Sequence, residues 1–223
     1  MKSAGNDIVA LKSVDKKRTE QYKFYSKILS PSEQALYHQA QFAEVPFETY
    51  VWLLWSVKES VYKYLKRTNP GLIFSPTNTI VHHIQIPAKY SIAGSNECFQ
   101  WESSHDDEFI EGQVVCKSHI LYFRSKITDE WINTIVDEDE DFENVCWGVK
   151  SIDSTSYDHQ SKAARTSLLN KLGPLFPTPL QIEKSPVGYP VILCGSQDIQ
   201  VPASLAHDGH FVAYSFALNF GEI

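Results

Sequence analysis

The stretch from Glu48 to Arg67 constrains the fold most strongly, because it predicts one long helix with two different faces. At about 100° per residue, one side carries an apolar stripe wide enough to face a core. The stripe consists of Leu53, Leu54, Val57, Val61, Tyr64 and Leu65. The other side gathers aromatic and charged residues within an arc of roughly 80°. These are Trp52, Trp55, Glu59, Lys63 and Lys66. Tryptophans on a polar face indicate that another part of the chain, or a ligand, covers them.

Glu59 and Lys63 on this polar face admit two interpretations. As an i,i+4 pair in the favourable order, they would stabilise an exposed helix by a few tenths of a kcal/mol. A carboxylate and an amine on one line of a helix are also groups that an active site uses. The helix alone does not distinguish a surface salt bridge from a site, so both interpretations stay open at this point.

The composition excludes several classes of function. The 223 residues carry a net charge of −7, which disfavours nucleic acid as the main partner, since such proteins usually present a basic face. The four cysteines are scattered without a C-x-x-C pair, so neither a disulfide framework nor a zinc site is predicted. The first residues lack the apolar core of a signal peptide, and no window is long enough to span a membrane. We therefore expect a cytoplasmic protein without a membrane partner.

The other periodic segments before residue 137 predict an α+β fold. Ser30-Pro31-Ser32-Glu33 has the spacing of a capping box with proline at the first helical position, which predicts a helix from Pro31 to about Phe42. Five β-rich runs follow the long helix, and an antiparallel sheet against that helix is the economical packing. The runs are Thr79–Ile86, Glu97–Trp101, Gln113–Lys117, His119–Arg124 and Trp131–Val136.

Consecutive acids at 137–141 mark the best candidate for a boundary, because like charges repel one another and resist packing. The predicted organisation is residues 1–137, an acidic linker at 138–144, and a second part at 145–223. In that second part we expect a strand at 145–152, a helix from about Asp158 to Leu172, and strands at 180–182, 190–193 and 211–216. Residues 204–210 lie between the last two strands, and their Asp-Gly pair predicts a tight turn.

Asp7 opens the short apolar run that ends at Leu11. The run is compatible with a buried strand that carries an acid at its entry. It is also compatible with a turn aspartate that follows Gly5-Asn6, and the local sequence favours the turn.

Three segments together resemble the signature motifs of 4′-phosphopantetheinyl transferases. They are Gly5-Asn6-Asp7-Ile8-Val9, Trp55-Ser56-Val57-Lys58-Glu59-Ser60 with Lys63, and Ala203-Ser204-Leu205-Ala206-His207-Asp208-Gly209. The middle segment, W-[ST]-x-K-E-[SA]-x-x-K, is the most specific. The first is weak alone, but it precedes the second by about fifty residues, a spacing that the family also shows.

The resemblance implies two similar halves, each a small antiparallel sheet packed with helices, related by a pseudo-twofold axis. Compared with the larger surfactin-type members, the halves look reversed: 5–136 resembles their second half, and 145–220 resembles their first. Our hypothesis is a circular permutation joined through the acidic linker. The alternative is a small holo-acyl-carrier-protein synthase unit with an unrelated C-terminal extension. Arg165 and His207 favour the permutation, because they stand in segments that resemble the motifs of the family's first half.

The resemblance also implies an activity and its residues. The family transfers the phosphopantetheine arm of coenzyme A to a serine of an apo acyl carrier protein, with magnesium, and releases 3′,5′-ADP. Asp7 and Glu59 would hold the metal, and Lys63 would hold the pyrophosphate or relay a proton. The general base would be Glu59 or a water at the metal. A monomeric pseudo-dimer serving lipid or polyketide biosynthesis is the expected setting.

By the same resemblance, Arg165 and His207 would bind the 3′-phosphate of coenzyme A and nearby groups. Lys58 is a weaker candidate for this anionic ligand, since on the helical wheel it points away from Glu59. Lys162 or Lys184 could add further positive charge.

The sequence departs from the motifs of the larger type at three positions. Val9 stands where that type has a third metal-binding acid, so water would complete the coordination, as in the smaller synthase type. Tyr189 replaces the lysine of a G-K-P motif, and Ala206 replaces the serine before the histidine. The departures motivate a rival hypothesis, a catalytically degenerate module that binds carrier proteins. Another magnesium-dependent phosphoryl-transfer enzyme has little support, because the chain has no glycine-rich phosphate loop.

Overall fold

Two parts that meet along one seam make up the computed structural model, which describes residues 3–87 and 109–218. The first part contains β1 (Gly5–Ala10), α1 (Lys16–Thr19), α2 (Tyr22–Tyr25), α3 (Pro31–Leu36), α4 (Phe47–Thr68), β2 (Thr79–Gln85), β3 (Ile110–Cys116), β4 (His119–Ile127) and β5 (Trp131–Asp137). The second part contains β6 (Val145–Ser151), α5 (Tyr157–Leu172), β7 (Leu180–Lys184), β8 (Pro190–Cys194), β9 (Gln197–Asp198), β10 (Ala203–Asp208) and β11 (Phe211–Ala217). Short 3₁₀ helices lie at Leu11–Ser13, Ala40–Phe42, Pro76–Asn78 and Gly173–Leu175.

The strands form three antiparallel sheets in the order β1-β5-β4-β3-β2, β10-β11-β6 and β7-β8-β9. Helix α4 packs on the five-stranded sheet, and α5 packs on the sheet that contains β10 and β11. The prediction of an α+β fold with small antiparallel sheets and packed helices is therefore confirmed. The predicted pseudo-twofold axis and the permuted order of the halves remain hypotheses.

Helix α4 has the faces that its sequence predicts. All six residues of the apolar stripe are at most 5% exposed and belong to the core between α4 and the sheet. The helix begins after Pro46, ends before Asn69, and extends one residue beyond each predicted end. The predicted capping box at α3 is also confirmed, because Ser30 Oγ accepts from the Glu33 N–H and Glu33 accepts from the Ser30 N–H.

Three local predictions differ from the structure. Helix α3 ends at Leu36, and the rest of the predicted helix consists of turns at 37–39 and a 3₁₀ helix at Ala40–Phe42. Residues 203–208 form strand β10, whereas the sequence predicted only a turn region there. Asp7 lies within β1, opposite Thr134 of β5, so the favoured interpretation as a turn aspartate is wrong. The predicted strand at 97–101 lies outside the described residues.

Strand β1 joins the two parts. It pairs with β5 on one edge and lies beside β10 of the second part. Backbone N–H groups of β1 donate to side chains of β10: the Ala10 N–H donates to Asp208 Oδ2 at 2.8 Å, and the Asn6 N–H donates to Ser204 Oγ at 3.2 Å. The predicted boundary segment at 138–144 connects β5 to β6 as turns.

Candidate active site

Asp7 reaches the polar face of α4 because β1 and the helix approach each other closely. Gly5 makes this approach possible, since a Cβ there would collide with the backbone carbonyl of Ser60. Ser60 Oγ, in turn, shares its proton between the Ser56 carbonyl of the same helix at 2.8 Å and the Thr134 carbonyl of β5 at 3.2 Å. The helix is thereby held against β1 at the level of Asp7.

Three predicted site residues converge at this contact. Lys63 Nζ lies 3.0 Å from Asp7 Oδ1 and 3.6 Å from Glu59 Oε1. The Asp7 side chain is 7% exposed, whereas those of Lys63 and Glu59 are 25% and 31% exposed. Glu59 and Lys63 therefore form a cluster with the buried Asp7. In this cluster Lys63 lies between two carboxylates, one from β1 and one from α4.

The electrostatics of the cluster show an excess of negative charge. Burial raises the pKa of Asp7 to about 6, and the Glu59 carboxylate adds to the rise while Lys63 opposes it. Burial alone would lower the pKa of Lys63, but the carboxylates of Asp7 and Glu59 outweigh it and the net shift is upward. The single ammonium of Lys63 neutralises only part of the charge of two carboxylates, so the cluster favours binding of a further cation.

The donor set suits a hard divalent cation, since carboxylate oxygens are the ligands that Mg²⁺ prefers. Within residues 3–87 and 109–218, no group of three His, Cys, Asp or Glu side chains forms a metal cluster. Val9 lies two residues beyond Asp7 on β1 and offers no ligand. Asp7 and Glu59 could supply two protein ligands, and water or substrate oxygens would have to supply the rest.

A cavity of about 320 Å³ opens beside the carboxylates. Asp7, Glu59, Trp52, Trp55 and Asp208 are among its lining residues. The indole N–H of Trp52 donates to Thr19 Oγ1 at 3.0 Å, and its ring lies 6.0 Å from that of Trp55. The two tryptophans on the polar face of α4 therefore form part of a cavity wall, fixed partly by α1.

A second cavity, of about 280 Å³, lies between α4 and the second part and is rich in cations. Its cationic lining comes from Lys63, Lys66 and Arg67 of α4, Arg165 of α5, and Lys184 of β7. In the part of the chain that the structure describes, no carboxylate lies within 4 Å of Lys66, Arg67, Arg165 or Lys184. Glu183 also lines this cavity, but the five cations outnumber it, which favours an anionic ligand.

His207 of β10 lines both cavities, whereas Lys63 lines the cationic cavity and not the first one. Its ring packs edge-on against Tyr157 at a centroid distance of 5.5 Å. Burial lowers the pKa of His207, Lys63 lowers it further, and Asp208 opposes the shift. The structure thus brings Asp7, Glu59, Lys63, His207 and Arg165 to one region, although the last two come from the second part of the chain.

Lys58 is the exception among the predicted site residues. Its ammonium is fully buried, lies 2.6 Å from Glu33 Oε2, and donates to the Ile28 carbonyl at 2.6 Å. It lines neither of the two cavities. The expectation that Lys58 binds coenzyme A is therefore corrected: its side chain faces α3, and Glu33 already neutralises its charge.

Sequence reasoning missed a role for three cations and one acid in these cavities. The sequence placed Lys66 on the polar face of α4 without assigning it a role. It offered Lys184 as additional positive charge but could not place it in the fold. Arg67 was not considered, although it follows Lys63 by one helical turn. Asp208 follows His207 directly, but its hydrogen bond across the seam depends on strand pairing that the sequence did not predict.

A sequence model described as the 4′-phosphopantetheinyl transferase superfamily matches residues 3–120, slightly more than half of the chain. The protein therefore belongs to the 4′-phosphopantetheinyl transferase superfamily. The matched region contains Asp7, Glu59 and Lys63, whereas Arg165 and His207 lie beyond it. No curated protein and no solved structure matches the chain. Among the described residues, no helix combines the length and apolar character that crossing a bilayer requires.

Proposed function

We propose that this protein transfers the 4′-phosphopantetheine arm of coenzyme A to the serine hydroxyl of an apo carrier protein in a magnesium-dependent reaction. The serine oxygen would attack the β-phosphorus of coenzyme A, and 3′,5′-ADP would leave. One observation carries the proposal: Lys63, which lines the cationic cavity, lies 3.0 Å from Asp7 and 3.6 Å from Glu59, which both line the acidic cavity. Membership of the superfamily supports a transfer of this general kind.

Asp7 and Glu59 would hold Mg²⁺. When bound, the ion would neutralise charge on the pyrophosphate oxygens as the bond to the leaving group breaks. Lys63 already lies within reach of both carboxylates and can contact a pyrophosphate oxygen as a cation. Glu59 is the more exposed of the two carboxylates, so it is the better placed to accept the proton of an incoming serine.

The two cavities suggest how the substrates would be arranged. The cationic cavity would hold the phosphorylated adenosine end of coenzyme A, with Arg165 and His207 as ligands for its phosphate groups. The carrier serine would approach through the cavity whose wall contains Trp52 and Trp55. Because one chain lines both cavities, we propose that the protein acts as a monomer.

A degenerate module that only binds carrier proteins is the second candidate, and Val9, Tyr189 and Ala206 favour it. Val9 and Tyr189 lack the charge, and Ala206 lacks the hydroxyl, of the residues that the larger family type has at these positions. The convergence of Asp7, Glu59 and Lys63 argues against this candidate, since a binder has no need to keep two carboxylates and an ammonium around one point.

Transfer to an apo carrier protein distinguishes the two candidates. The protein is incubated with coenzyme A, MgCl₂ and a panel of apo acyl carrier proteins, and the intact mass of each carrier is measured. We expect a gain of one phosphopantetheine on at least one carrier, lost when EDTA replaces MgCl₂. No gain on any carrier at high enzyme concentration, together with tight carrier binding, would establish the degenerate module instead.

A further inference from the structure

Arg67 occupies the cationic cavity one helical turn beyond Lys63, and the second part of the chain fixes its position. The guanidinium carbon lies 4.7 Å from the ring centroid of Tyr189, and Nη1 donates to the Pro190 carbonyl at 3.4 Å. A guanidinium over an aromatic ring is held by cation–π attraction while its N–H edge stays available to a ligand. Arg67 is thus a positioned cation at the junction of α4 and β8.

The surroundings of Arg67 leave its charge only partly compensated. The side chain is half-buried, and burial lowers its pKa, with Tyr189 and Asp198 opposing the shift. No carboxylate of the described ranges 3–87 and 109–218 lies within 4 Å of the guanidinium. A desolvated cation without a close counter-charge is costly, so its place in the wall of an open cavity favours an anionic ligand.

The separation of Lys63 and Arg67 along α4 indicates which anionic group of a ligand Arg67 would bind. In the proposed function Lys63 would contact the pyrophosphate, where the bond to the leaving group would break, and Arg67 lies four residues on, about 6 Å further along the helix axis. A ligand with two separated anionic groups could therefore contact Lys63 with one group and Arg67 with the other. Coenzyme A has such a group, the 3′-phosphate on its ribose.

We propose that Arg67, positioned by the ring of Tyr189, binds the 3′-phosphate of coenzyme A. Arg67 would thereby supply from α4 the positive charge that a lysine at residue 189 would have carried. The proposal rests on the function proposed above. Position 189 is where the resemblance to the G-K-P motif leads us to expect a lysine. Because the Tyr189 ring and the Arg67 guanidinium are adjacent, an ammonium at residue 189 would lie in the same region of the cavity.

Binding of coenzyme A and of 3′-dephospho-coenzyme A, measured by calorimetry at fixed MgCl₂ and ionic strength, tests this role. The wild type should prefer coenzyme A, and Arg67→Gln should reduce that preference at least about tenfold, since a charge-assisted hydrogen bond is lost. Affinity for the dephospho compound should stay unchanged. Arg124→Gln is a matched control, because Arg124 also lies over a ring, that of Phe142 at 4.8 Å, away from both cavities.

A double variant tests whether a lysine at residue 189 can replace the positive charge of Arg67. Arg67→Gln combined with Tyr189→Lys should regain preference for coenzyme A relative to Arg67→Gln alone. An Arg67→Gln variant with the full wild-type preference would overturn the assignment of Arg67. Equal preference in the single and double variants would overturn the exchange with position 189. Failure of the wild type to bind either compound would contradict the proposed function itself, and the inference with it.

Discussion

At the scale of single residues, Lys63 is the group on which the site depends. It neutralises part of the charge of Asp7 and Glu59, which come from a strand and a helix and would otherwise repel each other. The same position makes Lys63 a competitor for any cation that the carboxylates could bind. Its role without substrate therefore differs from its proposed role on a pyrophosphate.

This competition predicts that Lys63→Met strengthens magnesium binding while it impairs transfer. With the ammonium gone, Asp7 and Glu59 present their charge to Mg²⁺ alone, and because the loss of Lys63 also raises the pKa of Asp7 further, the comparison is made at a pH well above that pKa. A tenfold gain in affinity adds about 1.4 kcal/mol of stabilisation, or a rise in Tm of about 3–6 °C beyond that of the wild type at saturating MgCl₂. Thermal unfolding with and without MgCl₂ measures this rise in Tm, and Lys16→Met, which removes an exposed lysine paired with Glu48, is the control. Identical magnesium shifts in the wild type and Lys63→Met would contradict the competition.

At the scale of elements, α4 is fixed by a buried ion pair on one side and by close packing with β1 on the other. Glu33 accepts from Lys58 and also from the backbone N–H groups of Ser30 and Val81. Through these bonds the pair connects α3, α4 and β2. The lysine of the W-S-x-K-E-S segment thus has a structural role here, and the glutamate next to it faces the site.

Lys58→Met is predicted to destabilise the protein strongly, because it leaves the Glu33 carboxylate buried without its counter-charge. Loss of one partner of a buried pair costs about 3–5 kcal/mol, whereas an exposed pair contributes about 1 kcal/mol or less. Lys16→Met is the matched control, because Lys16 is exposed and its partner Glu48, although half-buried, stays accessible to water. Urea unfolding gives the free energy of unfolding of both variants. Equal decreases in the two variants would contradict the prediction that the buried pair costs more to break than the pair of Lys16.

Gly5→Ala is predicted to separate β1 from α4. The added Cβ would meet the Ser60 backbone carbonyl, which cannot rotate away, so either the strand or the helix must shift. Overpacking of this kind costs about 1–3 kcal/mol, and it would also move Asp7 relative to Glu59. Gly173→Ala is the control, because a Cβ there would meet nothing within 4 Å. Urea unfolding and the transfer assay should both show a loss for Gly5→Ala only, and a fully stable, active variant would contradict the close packing.

The elements also show what sequence reasoning could and could not find. Helix α4 was predictable because its apolar stripe satisfies a strong local period, and the α3 capping box because four adjacent residues encode it. Strand β10 was not, since Ser204, Ala206 and His207 lack strong β propensity and are ordered by pairing with β11. The partner of Lys58 was also out of reach, because Glu33 lies 25 residues earlier and folding alone brings the two together.

At the scale of the whole molecule, the two parts share a core along the seam. Ile8 and Trp131 of the first part belong to the same buried cluster as Trp147, Val149 and Phe211 of the second. Separation of the parts would expose these residues and break the seam bonds of Ala10 and Asn6. The cationic cavity, which both parts line, depends on this shared core.

The shared core predicts a single cooperative unfolding transition. Far-UV circular dichroism reports all elements, and tryptophan fluorescence reports the seam through Trp131 and Trp147 together with the site through Trp52 and Trp55. In urea the two signals should change at the same denaturant concentration, as in a two-state transition. Two separate transitions would show that the parts are stable independently and that the seam contributes little.

The most direct test of the proposed active site compares transfer by the wild type, Glu59→Gln and Glu48→Gln in the intact-mass assay. Both glutamates lie on α4 and face a lysine, but only Glu59 lies beside Asp7 and Lys63. We expect Glu59→Gln to lose at least about 100-fold in rate while it remains folded, because it removes both a metal ligand and the proposed base. Glu48→Gln should retain the wild-type rate. Equal rates for Glu59→Gln and the wild type would contradict the proposed active site and leave Glu59 and Lys63 as a surface ion pair.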